Sequence, residues 1–532
     1  MTGLTLALRL ARDGQKVIVH EQDPYLGGLS SESTLGGIPI ERFYHCILPT
    51  DFSLLRLIDD LGLNELTAIT TVDGRYRDIV RELVPYTCEM GLIRARVEIE
   101  AKYIIALSEA GLVRPMTDQE RKDIVRIGQT LTHAQSQRVK QIEKETHHDV
   151  ESMKRTFREI VVGTSLVDVI EMIHWGLTSE DINNLAYRLQ LMRAVRNVCI
   201  PALDELTDKF IEMAGGNVKT LMLARTHGQS AAPTLLSKEM LVFAMRLNRE
   251  IRKLEQMQLT GKLNGAVGND NARRYAAPEI NWIEFSRKFV ESLGFKPNMY
   301  TTQINPYEDM IEMFQAVQRV NGIILDLDQD VWRYISDFWM TLKFGKKDVG
   351  SSAMPQKVNP IDFENSEGNV TLANGIWDVM VRDLPVSRLQ RDLSDSTVVR
   401  NTGLGLAFGL IGYKNTLKGL GKININVQYM RKATMDNWTI LAEAAQIKLR
   451  RLGVEDAYPL ISEATKGKRI HGPKQWKEMI RSLPIPESAM AELENLTPKK
   501  YIGYARELTE TAIQEISASR KWNNIMRQEQ PV

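Results

Sequence analysis

Residues 350–360 read GSSAMPQKVNP. Adjacent hydroxyls, Ser351 and Ser352, precede Lys357 and Asn359 in a run bracketed by glycine and proline. Such a stretch can offer backbone N–H groups, hydroxyls and an ammonium to an anion, although the same composition also describes an ordinary surface turn. His227, in ARTHGQS, is a second candidate because imidazole titrates near neutral pH and suits proton transfer. As one of eight histidines it carries little weight alone. In LQRDLSDSTVVRN, Arg391 and Arg400 flank Ser396 and can grip carboxylate or phosphate in bidentate fashion. Gln303, in TTQINP, adds an amide able to read a heterocycle or a carboxylate.

Other polar groups sit at turns. In VDGRY, a D-G turn puts the guanidinium of Arg75 beside the phenol of Tyr76. The run ETHHDV sets His147, His148 and Asp149 side by side. Adjacent side chains point apart on any regular element, so at most one of these histidines faces a given ligand. GKLNGAVGNDNA, residues 261–272, reads as a glycine-rich turn.

The elements that must position these groups read as helices from about Glu65 onward. Met313, Val317, Val320, Ile324, Leu327, Val331 and Tyr334 alternate steps of four and three, the spacing of a bundle seam. Ala244, Leu247, Ile251 and Leu254 form another such seam. Thr178 or Ser179 can cap a helix carrying Ile182, Leu185, Leu189 and Met192 on one face, and Pro201 opens a further helix with Leu203, Leu206, Phe210 and Met213 in line. Long seams of this kind predict a helical bundle.

With 532 residues the chain exceeds what one core organises, so several domains are expected. Lys and Arg (68) nearly balance Asp and Glu (67), which gives no general attraction to nucleic acid or to an anionic membrane. Any anionic ligand must be met by local clusters. Three scattered cysteines, Cys46, Cys88 and Cys199, suggest neither a disulfide framework nor a metal site. The most apolar stretch, near Gly403–Tyr413, is far shorter than the ~20 residues of a membrane span, and no signal-peptide pattern follows Met1. A cytoplasmic protein is expected.

Residues 1–64 differ in character. A helix-like TGLTLALRLARDG, a strand-like KVIVHEQD and a PYLGGLSS turn resemble the start of flavin-dependent amine oxidases, with Glu21 as the ribose-binding acid and Gly27 and Gly28 near the flavin. The first strand and first two glycines of GxGxxG are missing, leaving Gly3 as the sole candidate for the third. The segment is therefore read as a truncated α/β dinucleotide-binding-like piece, a fusion remnant or gene-boundary artefact rather than a working flavin site.

Several motifs together resemble one family. GSSAMPQKVNP is similar to the signature loop of the fumarase/aspartase superfamily, whose members eliminate fumarate from a substituted succinate. IDFENSEGN, VDGRY, TSEDINN, RTHGQ and LPVSRLQRDLSDSTVVRN resemble its adenylosuccinate lyase branch, in family order, over about residues 65–519. HHDV is similar to the family's NHDV, departing at His147, and Gln356 departs from a common His.

The resemblance implies a mainly α fold: a fumarase/aspartase-type long helical bundle in three lyase domains, 65–167, 168–420 and 421–519, with a tail at 520–532. It implies Ser351 as general base, His227 as general acid and Glu364 as the histidine's partner. Arg75, Tyr76, His147, His148, Asp149, Thr178, Ser179, Gln303, Ser352, Lys357, Asn359, Arg391, Ser396 and Arg400 become the substrate-binding set. A purine nucleotide substrate, no metal or organic cofactor, and a homotetramer with shared active sites are likewise implied. Three alternatives stand beside it: an argininosuccinate lyase-like enzyme, a flavin-dependent oxidoreductase with a helical appendage, and a non-catalytic helical scaffold.

Overall fold

The computed structural model describes residues 32–35, 38–41, 68–343, 354 and 356–529. Two units are distinct, Met1–Asp78 and Ile79–Val532. In the first, Glu32–Leu35 pairs antiparallel with Ile38–Glu41, and Thr70 closes a turn by accepting from Gly74 N–H at 3.1 Å. The expected flavin-site residues Gly3, Glu21, Gly27 and Gly28 lie outside the described residues, as do Ser351 and Ser352.

The second unit is mainly helical, with a few short strand pairs. Its first group comprises α1 (Glu89–Glu109), α2 (Asp118–Gln129), α3 (His133–Thr146) and α4 (Asp149–Val161). Capping boxes start two of them: Thr117 with Glu120 at α2, and Thr132 with Gln135 at α3. Ile104, Ile124, Val139, Met153 and Phe157 share one core cluster between these helices.

The central elements follow as α5 (Ser179–Ala194), α6 (Ile200–Gly216), a hairpin of β1 (Leu221–Thr226) and β2 (Gln229–Leu235), α7 (Leu236–Gln256), α8 (Glu308–Ser336), α9 (Ile361–Asp383) and α10 (Thr402–Lys422). Every seam position expected from spacing is buried except Tyr334, which is half-buried. Pro201 sits in the first turn of α6, as its position in the sequence predicts, but that helix has no free start: α5 runs into it through a π-helical turn at Val195–Cys199, where Ile200 N–H donates to Val195 O. A proline cannot donate the next i→i−4 bond, and the wider turn absorbs that loss without a break. Beyond α10, short helices lead to α11 (Ala505–Glu529), which returns to α7 through Ser237 Oγ with Thr509 Oγ1 at 3.0 Å and Ser519 Oγ with Asn248 Oδ1 at 3.1 Å.

Helices α9 and α10 are antiparallel and closely spaced. Gly405 faces Trp377, Gly412 faces Val370 and Gly419 faces Phe363, seven residues apart on each helix. A Cβ at any of the three glycines would come under 3.0 Å from the facing side chain, so the large residues fit only where α10 has none. Trp377 also stacks on Phe314 of α8 at 4.7 Å between ring centroids, joining three helices in one layer.

The same bundle buries a carboxyl. Asp328, on α8, is 1 % exposed and accepts from Thr416 Oγ1 of α10 at 2.9 Å, and that hydroxyl also meets Ser366 Oγ of α9 at 2.8 Å. Burial pushes the Asp328 carboxyl up to about 8. Since its native pKa exceeds the unfolded value of 3.8, its contribution to stability is greatest in acid and is lost progressively as pH rises from there towards about 8. Asp328→Asn should therefore remove this slope, unfolding several degrees higher than the parent at pH 8 but not at pH 4. A thermal-unfolding series showing an unchanged slope would count against a protonated Asp328.

Candidate active site

One cluster of expected site residues forms where α4 and α5 begin. His147 closes α3 in a left-handed conformation (φ 53°), and His148 caps α4 by accepting from Glu151 N–H through Nδ1 at 3.3 Å. The adjacent histidines thus end one helix and begin the next, both exposed. Asp149 follows as the first residue of α4, and its Oδ2 accepts from Arg96 Nη2 and Arg400 Nη2, each at 2.7 Å. Arg96 is fully buried and donates through Nε to Asn183 Oδ1 at 2.9 Å. Burial opposes ionisation of Asp149, but Arg96 and Arg400 outweigh it and hold the carboxyl well below the usual range.

Thr178 and Ser179 lie half-buried at the start of α5. Thr178 N–H donates to Asp181 Oδ2 at 2.9 Å. The other oxygen of Asp181 accepts from the backbone N–H groups of Asn264 (3.1 Å) and Gly265 (3.2 Å), inside the glycine-rich turn. Lys262, fully buried, fixes that turn by donating to Gly265 O and Gln303 O at 2.8 Å each, with its charge 3.1 Å from Asp181. Gln303 donates through Nε2 to Ala266 O at 3.1 Å, and its N–H reaches Gln390 O at 3.3 Å, next to Arg391. Arg391 in turn pairs with Glu180 at 3.1 Å and with Asp395 at 3.2 Å, while Ser396 donates its N–H to Asp395 at 2.8 Å. Asp149, Thr178, Ser179, Gln303, Arg391, Ser396 and Arg400 are therefore joined by direct contacts or through immediate neighbours.

A second cluster gathers around the other end of α8. His227 and Gly228 are the two turn residues of the β1–β2 hairpin, with φ of 52° and 73° and Thr226 paired to Gln229. Positive φ at both positions is the type I′ geometry that matches the twist of paired strands, and it presents His227 exposed at the tip. Beside it, Arg225 pairs with Asp337 and lies over the Trp339 ring at 4.8 Å, docking the hairpin just beyond α8. Glu364, exposed on the first turn of α9, accepts from Trp332 Nε1 of α8 at 3.2 Å. Lys357 is exposed, and Asn359 lies in the segment that leads into α9. Among the described residues His227 and Glu364 share no hydrogen bond. Arg75 and Tyr76 belong to the other unit, where the guanidinium lies 5.9 Å from the ring centroid.

The two clusters of the second unit flank one helix. Tyr307 and Asp309, at the start of α8, contact the first: Tyr307 donates to Asp395 at 2.7 Å, and Asp309 pairs with Arg188 at 2.8 Å. Trp332 and Asp337 contact the second. At 29 residues α8 is about 42 Å long, far more than any one substrate could bridge.

Several structural partners escape a reading of sequence. Arg96, Glu180, Asn183, Arg188, Lys262 and Asp309 are charged or polar residues inside helices or turns, with no local pattern to mark them as buried. Lys262 alone leaves a trace, being a lysine between Gly261 and Leu263 in an otherwise small and apolar run.

Comparison with known proteins agrees with this architecture. The "Lyase" family model matches residues 74–375, and the "Adenylosuccinate lyase C-terminal" model matches residues 387–502. Adenylosuccinate lyase of Haemophilus influenzae is 42% identical over 454 residues, covering 85% of this chain and 99% of its own length. The Escherichia coli K12 enzyme of the same name is 42% identical over 84% of this chain and 98% of its own, and that of Dictyostelium discoideum is 40% identical with the same coverage. Among solved structures, 3-carboxy-cis,cis-muconate lactonizing enzyme from Pseudomonas putida aligns with TM-score 0.66 at 18% identity, covering 82% of this chain and 97% of that one. Fumarate lyase from Mesorhizobium sp. BNC1 aligns with TM-score 0.64 at 17% identity over the same shares.

Fold and matched models define a carbon–nitrogen lyase built on the long-helix bundle of the fumarase/aspartase superfamily. Within that class, the chain belongs to the adenylosuccinate lyase family.

The carboxylate between two guanidinium groups is the most exacting contact of the first cluster. Removing the Asp149 charge leaves Arg96 buried without its counter-ion, so Asp149→Asn should destabilise the protein by about 3 kcal/mol. Combined with Arg96→Leu, the loss should be well below the sum of the single losses. Denaturant unfolding of the four proteins checks this, and strictly additive losses would count against a shared pair.

Proposed function

We propose that the chain releases fumarate by β-elimination from adenylosuccinate, giving AMP, and from the succinylated aminoimidazole carboxamide ribotide of purine biosynthesis, giving the aminoimidazole carboxamide ribotide. It acts in the cytoplasm as a homotetramer whose active sites draw residues from several subunits. Identity of about 40% along nearly the whole length of the curated relatives supports the reaction. The observation that carries the shared site is the length of α8: His227 and Glu364 lie at one end of a ~42 Å helix, and Arg391, Gln303 and Thr178 lie at the other. Residues 65–167, 168–420 and 421–519 are its three lyase domains.

In this reading Ser351, deprotonated within a closed loop, takes the proton from the carbon beside a substrate carboxylate. Ser352, Lys357 and Asn359 stabilise the charge that collects on that carboxylate. The electron pair then forms the fumarate double bond as the carbon–nitrogen bond breaks, and the departing nitrogen takes a proton from His227. Glu364 orients the imidazole. Arg75, Tyr76, His147, His148, Asp149, Ser179, Ser396 and Arg400 complete the substrate-binding set, with the arginines meeting phosphate or carboxylate. An argininosuccinate-type substrate is disfavoured by VDGRY, TSEDINN and DLSDSTVVRN, the motifs of the nucleotide branch.

The assembled protein should release fumarate from adenylosuccinate, and Ser351→Ala or His227→Ala should each lower kcat by about a hundredfold or more. Co-assembling His227→Ala with an inactive Arg391→Ala, which alter groups at opposite ends of α8, should restore part of the activity, because some mixed sites then hold one intact copy of each group. Mixed tetramers that stay inactive would refute sharing, and an inert, correctly assembled wild type would refute the reaction.

A further inference from the structure

Glu180 follows Thr178 and Ser179 at the start of α5 and is 2 % exposed. Its Oε2 lies 3.1 Å from Arg391 Nη1, while Oε1 has no hydrogen-bond partner. The same guanidinium nitrogen donates to Asp395 Oδ2 at 3.2 Å, and Asp395 has further donors in Tyr307 Oη (2.7 Å) and Ser396 N–H (2.8 Å). One cation therefore serves two buried carboxyl groups, and only Asp395 is otherwise satisfied. A buried carboxylate oxygen left without a donor is costly, and taking up a proton relieves that cost.

The surroundings limit other sources of relief. Lys262, from the glycine-rich turn, is committed to Asp181, and Arg188, from α5 itself, is committed to Asp309. Tyr307, at the start of α8, donates its hydroxyl hydrogen bond to Asp395. Burial pushes the Glu180 carboxyl up to about 7; Arg391 opposes this, Asp395 reinforces it, and Lys262 and Arg188 oppose it less strongly.

We propose that Glu180 is a positioning residue that takes up a proton when a substrate or product anion engages Arg391. This rests on the reading of Arg391 as a ligand for that anion. A third negative group on one guanidinium raises the cost of ionised Glu180, which is the partner lacking other donors. It accepts one proton from solvent, becomes neutral and leaves Arg391 to the ligand. The proton returns to solvent when the ligand departs, so none is consumed per turnover.

The test is calorimetric titration of the full-length assembled protein with AMP at pH 7, in two buffers of different ionisation enthalpy, beside Glu180→Gln. Any proton change on the AMP phosphate is common to both proteins. The wild type should take up about half a proton more than the variant. Its AMP affinity should also weaken as pH rises above neutrality, a trend absent from the variant. Equal proton uptake in the two proteins would overturn the proposal. Should Glu180→Gln fail to assemble, infrared difference spectra of the wild type decide: AMP should add a protonated-carboxyl C=O band, and no such band overturns it. A wild type that assembles but neither binds AMP nor releases fumarate would overturn the functional reading and this proposal together. Binding with no proton uptake in excess of the variant would overturn this proposal alone.

Discussion

The length of α8 is the constraint on which the arrangement depends. A straight helix of 29 residues holds its two ends about 42 Å apart and does not fold back on itself. Each end is tied to a different set of polar groups: Tyr307 and Asp309 to the Arg391 and Arg188 pairs, Trp332 and Asp337 to Glu364 and the hairpin of His227. The seam along α8 is buried from Met313 to Val331, so the separation is built into the core rather than left to a linker. The hairpin of His227 and the Arg391 cluster are thereby held rigidly apart within the second unit of one chain.

Around the first cluster, charge is balanced locally rather than by the protein as a whole. The net charge of the chain is +1, yet Arg96, Arg188, Arg273 and Lys262 are all fully buried. Arg96, Arg188 and Lys262 meet Asp149, Asp309 and Asp181, carboxylates at or near the start of helices α4, α8 and α5, where the peptide dipoles also favour negative charge. Pairs of this kind add little net stability, but they fix orientation strictly, because breaking one strands a charge in a poor solvent. What they fix are the first turns of α4, α5 and α8 and the glycine-rich turn, the backbone that carries Asp149, Thr178, Ser179 and Gln303.

The helical seams were legible because an amphipathic stripe is a local property. Met313 to Val331 and Ala244 to Leu254 declare their buried faces by spacing alone. The π-turn before Pro201 was not legible as such. Proline marks a possible helix start and an interior distortion equally, and only packing of the joined α5 and α6 decides between them. At the site, motifs brought His227, Arg391 and Arg400 forward by resemblance, but not their partners. Glu180 reads as one more acid in a helix-capping run until Arg391, more than two hundred residues away, is placed against it. Side-chain pairs at such separations have no signature in either neighbourhood. The type I′ turn at His227 lay between these extremes: H-G is compatible with it, but nothing short of the paired strands requires it.

The glycines of α10 have a consequence for how the two polar clusters are gauged. Gly405, Gly412 and Gly419 mesh with Trp377, Val370 and Phe363 like teeth with a fixed pitch. The next register in which such teeth could engage is seven residues away, a displacement of about 10 Å along the axis. Small slippage between α9 and α10 therefore has no resting place. Arg400 stands just ahead of α10, and Glu364 lies on the first turn of α9, at the far end of the same antiparallel pair. The toothed pair is thus a measuring rod, and its notches set the spacing between the two polar clusters in every copy of the chain.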